Sequence, residues 1–354
     1  MTSAATDTAA IDGAAAATPL RIAVIGVGRI GRMHAELLAR RVPGAAVSAL
    51  YDAHTESARS VGEELRVPVA GSVAELLASD DTDAVAICTS TDTHAELIVA
   101  AAQAGKAIFC EKPVSLDLAE VDRALAAVEA TGVPFQIGFN RRFDPAHQSV
   151  RDAVADGSIG DVQLVRISSR DPDPPPLAYV RSSGGIFLDM TIHDFDMARY
   201  VTGSEVVDVH ARGAVRVDQS FAEADDVDTA VITLAHENGC LTAIDNSRRA
   251  VYGFDQRVEA FGSRGMAASE NPLAHSGVLH TADGTRKPSL PYFYLERYVP
   301  SYLREWEAFV GALAAGREPP VTTADARAPL VIGLAAWRSL REQRPVGVAE
   351  IEAG

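Results

Sequence analysis

Lysine is nearly missing from this chain: among 32 Lys and Arg residues only Lys106, Lys112 and Lys287 are lysines. Positive charge of any kind is outweighed, because 48 acidic residues leave a formal net charge of -16. Nucleic acid and anionic membrane surfaces need clustered cations, so neither is an expected partner and a small-molecule enzyme fits better. Cysteine is scarce as well. Cys88, Cys110 and Cys240 are an odd number without CxxC spacing, which argues against a structural zinc site and a disulfide framework. They read as reduced, cytosolic and mostly core. No stretch approaches the ~18 uninterrupted apolar residues that a membrane-spanning helix requires, and no internal repeat is found. Residues 1–18, MTSAATDTAAIDGAAAAT, carry no Lys or Arg and so lack the basic region of a targeting segment; they read as a disordered tail.

At 354 residues the chain exceeds what one core usually organises, and two domains are expected. From Leu20 to about Phe139, short apolar runs (RIAVIG, AVSALYD, DAVAIC, AIFCEK, PFQIGF) alternate with amphipathic stretches, the pattern of a parallel sheet covered by helices. Past Asn140 the rhythm changes. A helix over DPAHQSVRDAVADG, the strand VQLVRISSR, the proline loop DPDPPPLA and a helix over SGGIFLDMTIHDFDMARYV lead into alternating segments, VDTAVITLA, CLTAIDNSR and RVEAFGS. Helices around SYLREWEAFVGALAAG and ADARAPLVIGLAAWRSLRE close the chain. The expected fold is α/β: an N-terminal Rossmann dinucleotide-binding domain over 19–141, then an α+β domain with a mostly antiparallel sheet over 142–354.

Gly26-Val27-Gly28-Arg29-Ile30-Gly31 is GxGxxG between a strand and a helix. Gly26 permits the tight turn, Gly28 the approach of a pyrophosphate, and Gly31 close packing of helix on strand. The helix N-terminus adds free N–H groups and a positive dipole end. Asp52 ends the second strand, where such folds place an acid on the ribose hydroxyls; with Ala53 beside it, it favours NAD over NADP. Its alternative duty is capping the helix that starts near Thr55.

Asp189 and His193 stand four apart, on one face of the expected helix. The imidazole can take an alcohol proton and the carboxylate can orient the ring, although this spacing equally suits a structural hydrogen bond. Lys112 follows the strand AIFCE, at the sheet end where ligands collect. Where a guanidinium holds its proton at any working pH, an ammonium is a titratable point charge that favours alkoxide character on a nearby oxygen. Pro113 after it admits a cis bond. The alternative is a surface lysine at a strand end.

The glycine motif, CTSTDTHAELIVAAAQAGKAIFCEKP, GFNRRFDP and SGGIFLDMTIHDFDMARY together resemble the Gfo/Idh/MocA family of NAD(P)-dependent sugar and polyol oxidoreductases, from Leu20 to nearly the end. SSRDPDPPPLAYVRSSGGIF, YGFDQRVEAFGS and YFYLERYVPSY are similar to its inositol-oxidising members. The resemblance implies that Lys112, Asp189 and His193 are the catalytic set, with His193 as acid–base. It also implies that Gly26, Gly28, Arg29, Ile30, Gly31, Asp52, Thr89, His94, Glu111 and Lys112 hold NAD, and that Arg142, Asp171, Tyr252 and Tyr294 line the polyol pocket with the catalytic set. The implied reaction is NAD-dependent oxidation of a cyclic polyol, myo-inositol to its 2-keto product, by a homotetramer. Scyllo-inositol, glucose or another aldose is the alternative substrate, and a non-catalytic NAD-sensing protein the alternative class. No metal is implied, and the YxxxK pair of short-chain dehydrogenases is absent.

Overall fold

In the computed structural model, which describes residues 18–353, the first lobe alternates strand and helix. It runs β1 (Leu20–Ile25), α1 (Arg29–Arg40), β2 (Ala45–Tyr51), α2 (Thr55–Leu65), α3 (Val73–Ala78), β3 (Ala84–Ile87), α4 (Thr91–Gln103), β4 (Ala107–Glu111), α5 (Leu118–Thr131) and β5 (Phe135–Gly138). The expected N-terminal tail falls, but for Thr18, outside the described residues. All five strands are parallel in the order β2-β1-β3-β4-β5. Every residue of β3, β4 and β5 is buried, as strands covered on both faces must be, which is why they read as unbroken apolar runs. The order reverses between β1 and β3, and ligands of open parallel sheets sit at that switch, beyond the strands' carboxyl ends.

The second lobe contains α6 (Pro145–Ala155), β6 (Val162–Arg170), α7 (Leu177–Ser183), α8 (Ile192–Thr202), β7 (Val206–Ala214), α9 (Ser220–Glu223), β8 (Thr229–His236), β9 (Leu241–Ser247), β10 (Asp255–Gly262) and β11 (Gly265–Ser269). A hairpin, β12 (Leu279–Thr281) and β13 (Gly284–Arg286), precedes α10 (Tyr294–Ala314), α11 (Thr323–Glu342), β14 (Val346–Gly347) and α12 (Ala349–Glu352). The sheet order is β11-β10-β6-β9-β8-β7-β14, antiparallel except for the pair β6 and β9. Burial alternates along β8, whose Ala230, Ile232 and Leu234 join Ile167 and Ile244 against α8 and α11. The opposite face is open, with Val231, Leu241, Phe261 and Met266 exposed on it.

Two late helices tie the lobes together. Although it follows the second sheet in the chain, α10 packs on the first: Tyr302, Trp306 and Phe309 lie with Ile22, Leu38 and Phe109. It starts at Tyr294, ahead of the SYLREWEAFVGALAAG segment, and carries Pro300 inside it. α11 places Ala326 and Leu330 in the first core and Ile332, Ala335 and Ala336 in the second. All three cysteines are free and buried. No helix of the described residues is long and apolar enough to cross a membrane.

The segment SGGIFLDMTIHDFDMARYV is not one helix. Gly184 and Gly185 take positive φ (85° and 72°), a π-helical turn spans Ile186–Met190, and α8 begins only at Ile192. Tertiary hydrogen bonds hold the wider turn: the Ile186 N–H donates to Asp226 Oδ1 (3.1 Å), and the Thr191 hydroxyl lies 2.6 Å from Asn246 Oδ1.

Candidate active site

The glycine loop is built for a close visitor. Gly26 has φ 89°, and a Cβ there would stand 2.8 Å from the Cys88 carbonyl and the Thr89 nitrogen. A Cβ on Gly31 would lie 1.9 Å from the Gly26 oxygen, so only glycine lets α1 start this close to β1. Gly28 caps α1 without a side-chain bond and has nothing within 4 Å of where its Cβ would be. That open space at a helix N-terminus fits a dinucleotide pyrophosphate. Asp52 does two things at once: Oδ2 accepts from the Val27 N–H (2.8 Å) and Oδ1 from the His54 N–H (2.7 Å), tying the end of β2 to the glycine loop. Arg29 stands 5.3 Å from the centre of the Phe293 ring, beside Tyr294, while Ile30 packs into the first core.

Three further residues of this lobe hold the loops. The His94 ring, buried at 1% exposure, reaches the carbonyls of Pro113 (2.8 Å) and Thr89 (3.1 Å), strapping one loop to the next. Burial holds its pKa below the ordinary imidazole value, against the pull of those two carbonyls. Thr89 shares a hydroxyl hydrogen bond with Thr93 (2.6 Å). The Trp306 indole N–H donates to His34 Nδ1 (2.8 Å), which leaves Nε2–H to donate to Glu111 Oε1 (2.7 Å). Glu111, at the end of β4, is thereby anchored just before Lys112.

Lys112 crosses to the other lobe. The Lys112–Pro113 bond is cis. Nζ donates to the Asp189 carbonyl (2.9 Å) and stands 3.5 Å from Asp189 Oδ1. Asp189 is enclosed by donors: the Tyr179 hydroxyl on Oδ1 (2.9 Å) and Arg248 Nη2 on Oδ2 (3.0 Å). Burial raises its pKa, but Lys112, Arg248 and Tyr179 together overcome this and hold the carboxyl below its usual value. The expected hydrogen bond from a His193 ring N–H to the Asp189 carboxylate is not made, because the π-turn separates the two and the carboxylate is already engaged.

His193 packs edge-on against Phe139 (ring centres 5.9 Å apart). Its Nδ1 is buried without a partner; Nε2, equally without a hydrogen bond, is not enclosed. Burial, then the nearby charges of Lys112 and Arg141, push its pKa well below the ordinary value, so the ring is neutral at pH 7 and able to accept a proton.

Asp171 joins this group through Arg248 Nη1 (3.2 Å), and burial raises its pKa against the pull of Arg248. Tyr294 lies within electrostatic reach of Glu111 and Asp189. Two expected pocket residues are placed otherwise. Arg142 forks onto Asp196 (2.6 Å) and reaches Asp325 (2.8 Å), a buried ion cluster that α8 and α11 share. The Tyr252 hydroxyl donates to Asp255 (2.7 Å) and accepts from Arg170 (2.9 Å), with no hydrogen bond to Lys112, Asp189 or His193. In place of Arg142 its neighbour Arg141 turns toward the site, bonded to Asp194 (2.7 Å) and Ser169. Arg141, Tyr179 and Arg248 carry no signal in the sequence; a buried cation matched to acids on other elements leaves no spacing to read. Among the described residues no group of three or more His, Cys, Asp and Glu side chains could hold a metal ion.

Residues 20–139 match the oxidoreductase family with an NAD-binding Rossmann fold, and residues 147–268 the GFO/IDH/MocA C-terminal domain. The chain is 48% identical over 333 residues to the myo-inositol 2-dehydrogenase of Thermotoga maritima, covering 94% of this chain and 99% of the relative. It is 44% identical to the inositol 2-dehydrogenase of Rhizobium meliloti, covering 93% of this chain and 99% of that one. The crystal structure of a probable dehydrogenase from Thermotoga maritima superposes with a TM-score of 0.92 at 48% identity, over 94% of this chain and all of the other.

Proposed function

The chain belongs to the Gfo/Idh/MocA oxidoreductase family, and from that premise we propose that it oxidises myo-inositol to the 2-keto product with NAD. One observation carries the reading. Lys112 from the first lobe is bound to the Asp189 turn of the second, while His193 beside it keeps both ring nitrogens uncommitted. Held by the glycine loop and Asp52, NAD would supply the acceptor for the hydride of the ring carbon. With Nδ1 carrying the ring proton, Nε2 of His193 takes the proton of the same carbinol's hydroxyl. The Lys112 ammonium favours negative charge on the carbinol oxygen as its proton leaves, and Asp189 fixes the ammonium by its carbonyl and carboxylate.

The glycine loop and Asp52 hold the cofactor, Asp52 accepting from the adenosine ribose. Asp171 and Tyr294 offer an acceptor and a hydroxyl to the remaining polyol hydroxyls. Asp189, Asp171 and Asp194 balance Lys112, Arg248 and Arg141, a charge state suited to an uncharged polyol. The proposal extends to a cytoplasmic homotetramer: the cysteines are free, and the open sheet face carries exposed apolar side chains that a second copy would cover.

The test is NADH formation by the purified chain on a panel of myo-inositol, scyllo-inositol, glucose and other aldoses. We expect the highest kcat/KM with myo-inositol. Preference for an aldose, or no NADH with any inositol, would overturn the reading.

A further inference from the structure

The turn that carries Asp189 is gripped from the end of β9. Asn246 and Arg248, two residues apart, project from the same side of the chain. Asn246 Oδ1 accepts from the Thr191 hydroxyl, and Arg248 spans Asp189 Oδ2 (3.0 Å) and Asp171 Oδ2 (3.2 Å). The Arg248 side chain is 3% exposed, and its backbone N–H is fixed to the Asp228 carbonyl (2.8 Å). A cation this buried persists only where carboxylates match it. Here the two come from different elements, the exit of β6 and the π-turn. A planar guanidinium can address both, whereas an ammonium is a single point.

We infer that Arg248 is a positioning residue of the oxidation: its fork joins Asp171 to Asp189 and so sets where Asp189 stands relative to Lys112. The inference rests on the polyol-oxidising reading given above. With Oδ2 taken by Arg248, Asp189 offers Lys112 only the 3.5 Å approach of Oδ1, and the ammonium makes its shorter bond to the carbonyl. Without Arg248 the carboxylate would turn its whole charge on Lys112 and draw the ammonium from the carbinol.

The groups facing Asp189 are Lys112 after β4, Arg248 after β9, Asp171 after β6, Asp226 before β8, Tyr179 on α7 and Tyr294 on α10. Only two are cations. With Arg248 removed, burial and two acids press on Asp189 against one remaining positive charge, so its carboxyl protonates at higher pH, and Asp171, left with Arg141 as its remaining cation, shifts the same way. The ionised pair is the competent form, so the acid limb of kcat/KM moves up.

The experiment measures kcat and KM for myo-inositol across pH in the parent, Arg248→Met and Arg248→Lys, with NADH binding as a check that the first lobe is intact. For Arg248→Met we expect the acid limb to rise by about one pH unit or more and KM to rise by about tenfold or more, with NADH affinity unchanged. Arg248→Lys should return the limb close to the parent's while KM stays raised. Reduced turnover in Arg248→Met with the parental limb would mean a merely structural role and overturn the inference. Should that variant not fold, Arg248→Lys decides: a raised KM supports the inference, and a parental KM overturns it. An inactive parent removes the activity reading and this inference together, whereas an active parent with an unmoved limb removes this inference alone.

Discussion

Replacing Lys112 by Met keeps the length and apolar stem of the side chain and deletes the charge. Nζ is the group that joins the lobes at the site, bonded to the Asp189 carbonyl at 2.9 Å on a side chain 16% exposed. Two consequences can be worked out. Loss of one preorganised donor to a developing oxyanion costs about 10²–10³ in kcat, equivalent to about 2.7–4 kcal/mol. Lys112 is also, after burial, the leading cause that keeps His193 from being protonated, so its removal raises the His193 pKa. The base must be neutral to work; a higher pKa therefore moves the acid limb of kcat/KM upward, with activity lost first on the low-pH side. NAD affinity should change little, because the glycine loop and Asp52 are untouched. The assay is steady-state NADH formation from myo-inositol across pH, with NADH binding followed by fluorescence. A kcat within about twofold of the parent, with the limb unmoved, would refute the role given to the ammonium.

Asp52→Ser removes the acceptors of the Val27 and His54 N–H groups as well as the ribose contact, so NAD affinity should fall and the NAD over NADP preference should shrink; an unaltered cofactor ratio would count against the ribose assignment. Gly31→Ala would set a methyl 1.9 Å from the Gly26 oxygen, and the variant should lose NADH binding; retained binding would show that the loop can yield. Tyr252→Phe should leave kcat and KM for myo-inositol close to the parent's, since its hydroxyl serves the Arg170 and Asp255 ion pairs. A large rise in KM there would place Tyr252 in the pocket after all.

The first lobe was legible because its signals are local. Buried parallel strands are apolar runs, the close approach of α1 to β1 demands glycine at Gly26 and Gly31, and a lysine in a chain that otherwise uses arginine stands out at Lys112. What escaped was set by tertiary partners. Arg141 and Arg142 are neighbours in the short 3₁₀ turn Asn140–Phe143, yet one turns to Asp194 beside the site and the other to Asp196 and Asp325 behind it. Nothing in the sequence distinguishes them. The four-residue spacing of Asp189 and His193 assumed 3.6 residues per turn, whereas Asp226, Asn246 and Arg248 hold that stretch in a wider turn. Arg248 itself sits in a run of two arginines; only the acids brought to it from β6 and the π-turn distinguish it from the exposed Arg249.

The most direct test is a crystal structure of the chain with NADH and myo-inositol. The account predicts one ring hydroxyl within about 3.2 Å of both Lys112 Nζ and His193 Nε2, with its carbon facing the nicotinamide. An inositol whose hydroxyl nearest the nicotinamide touches neither side chain would contradict it.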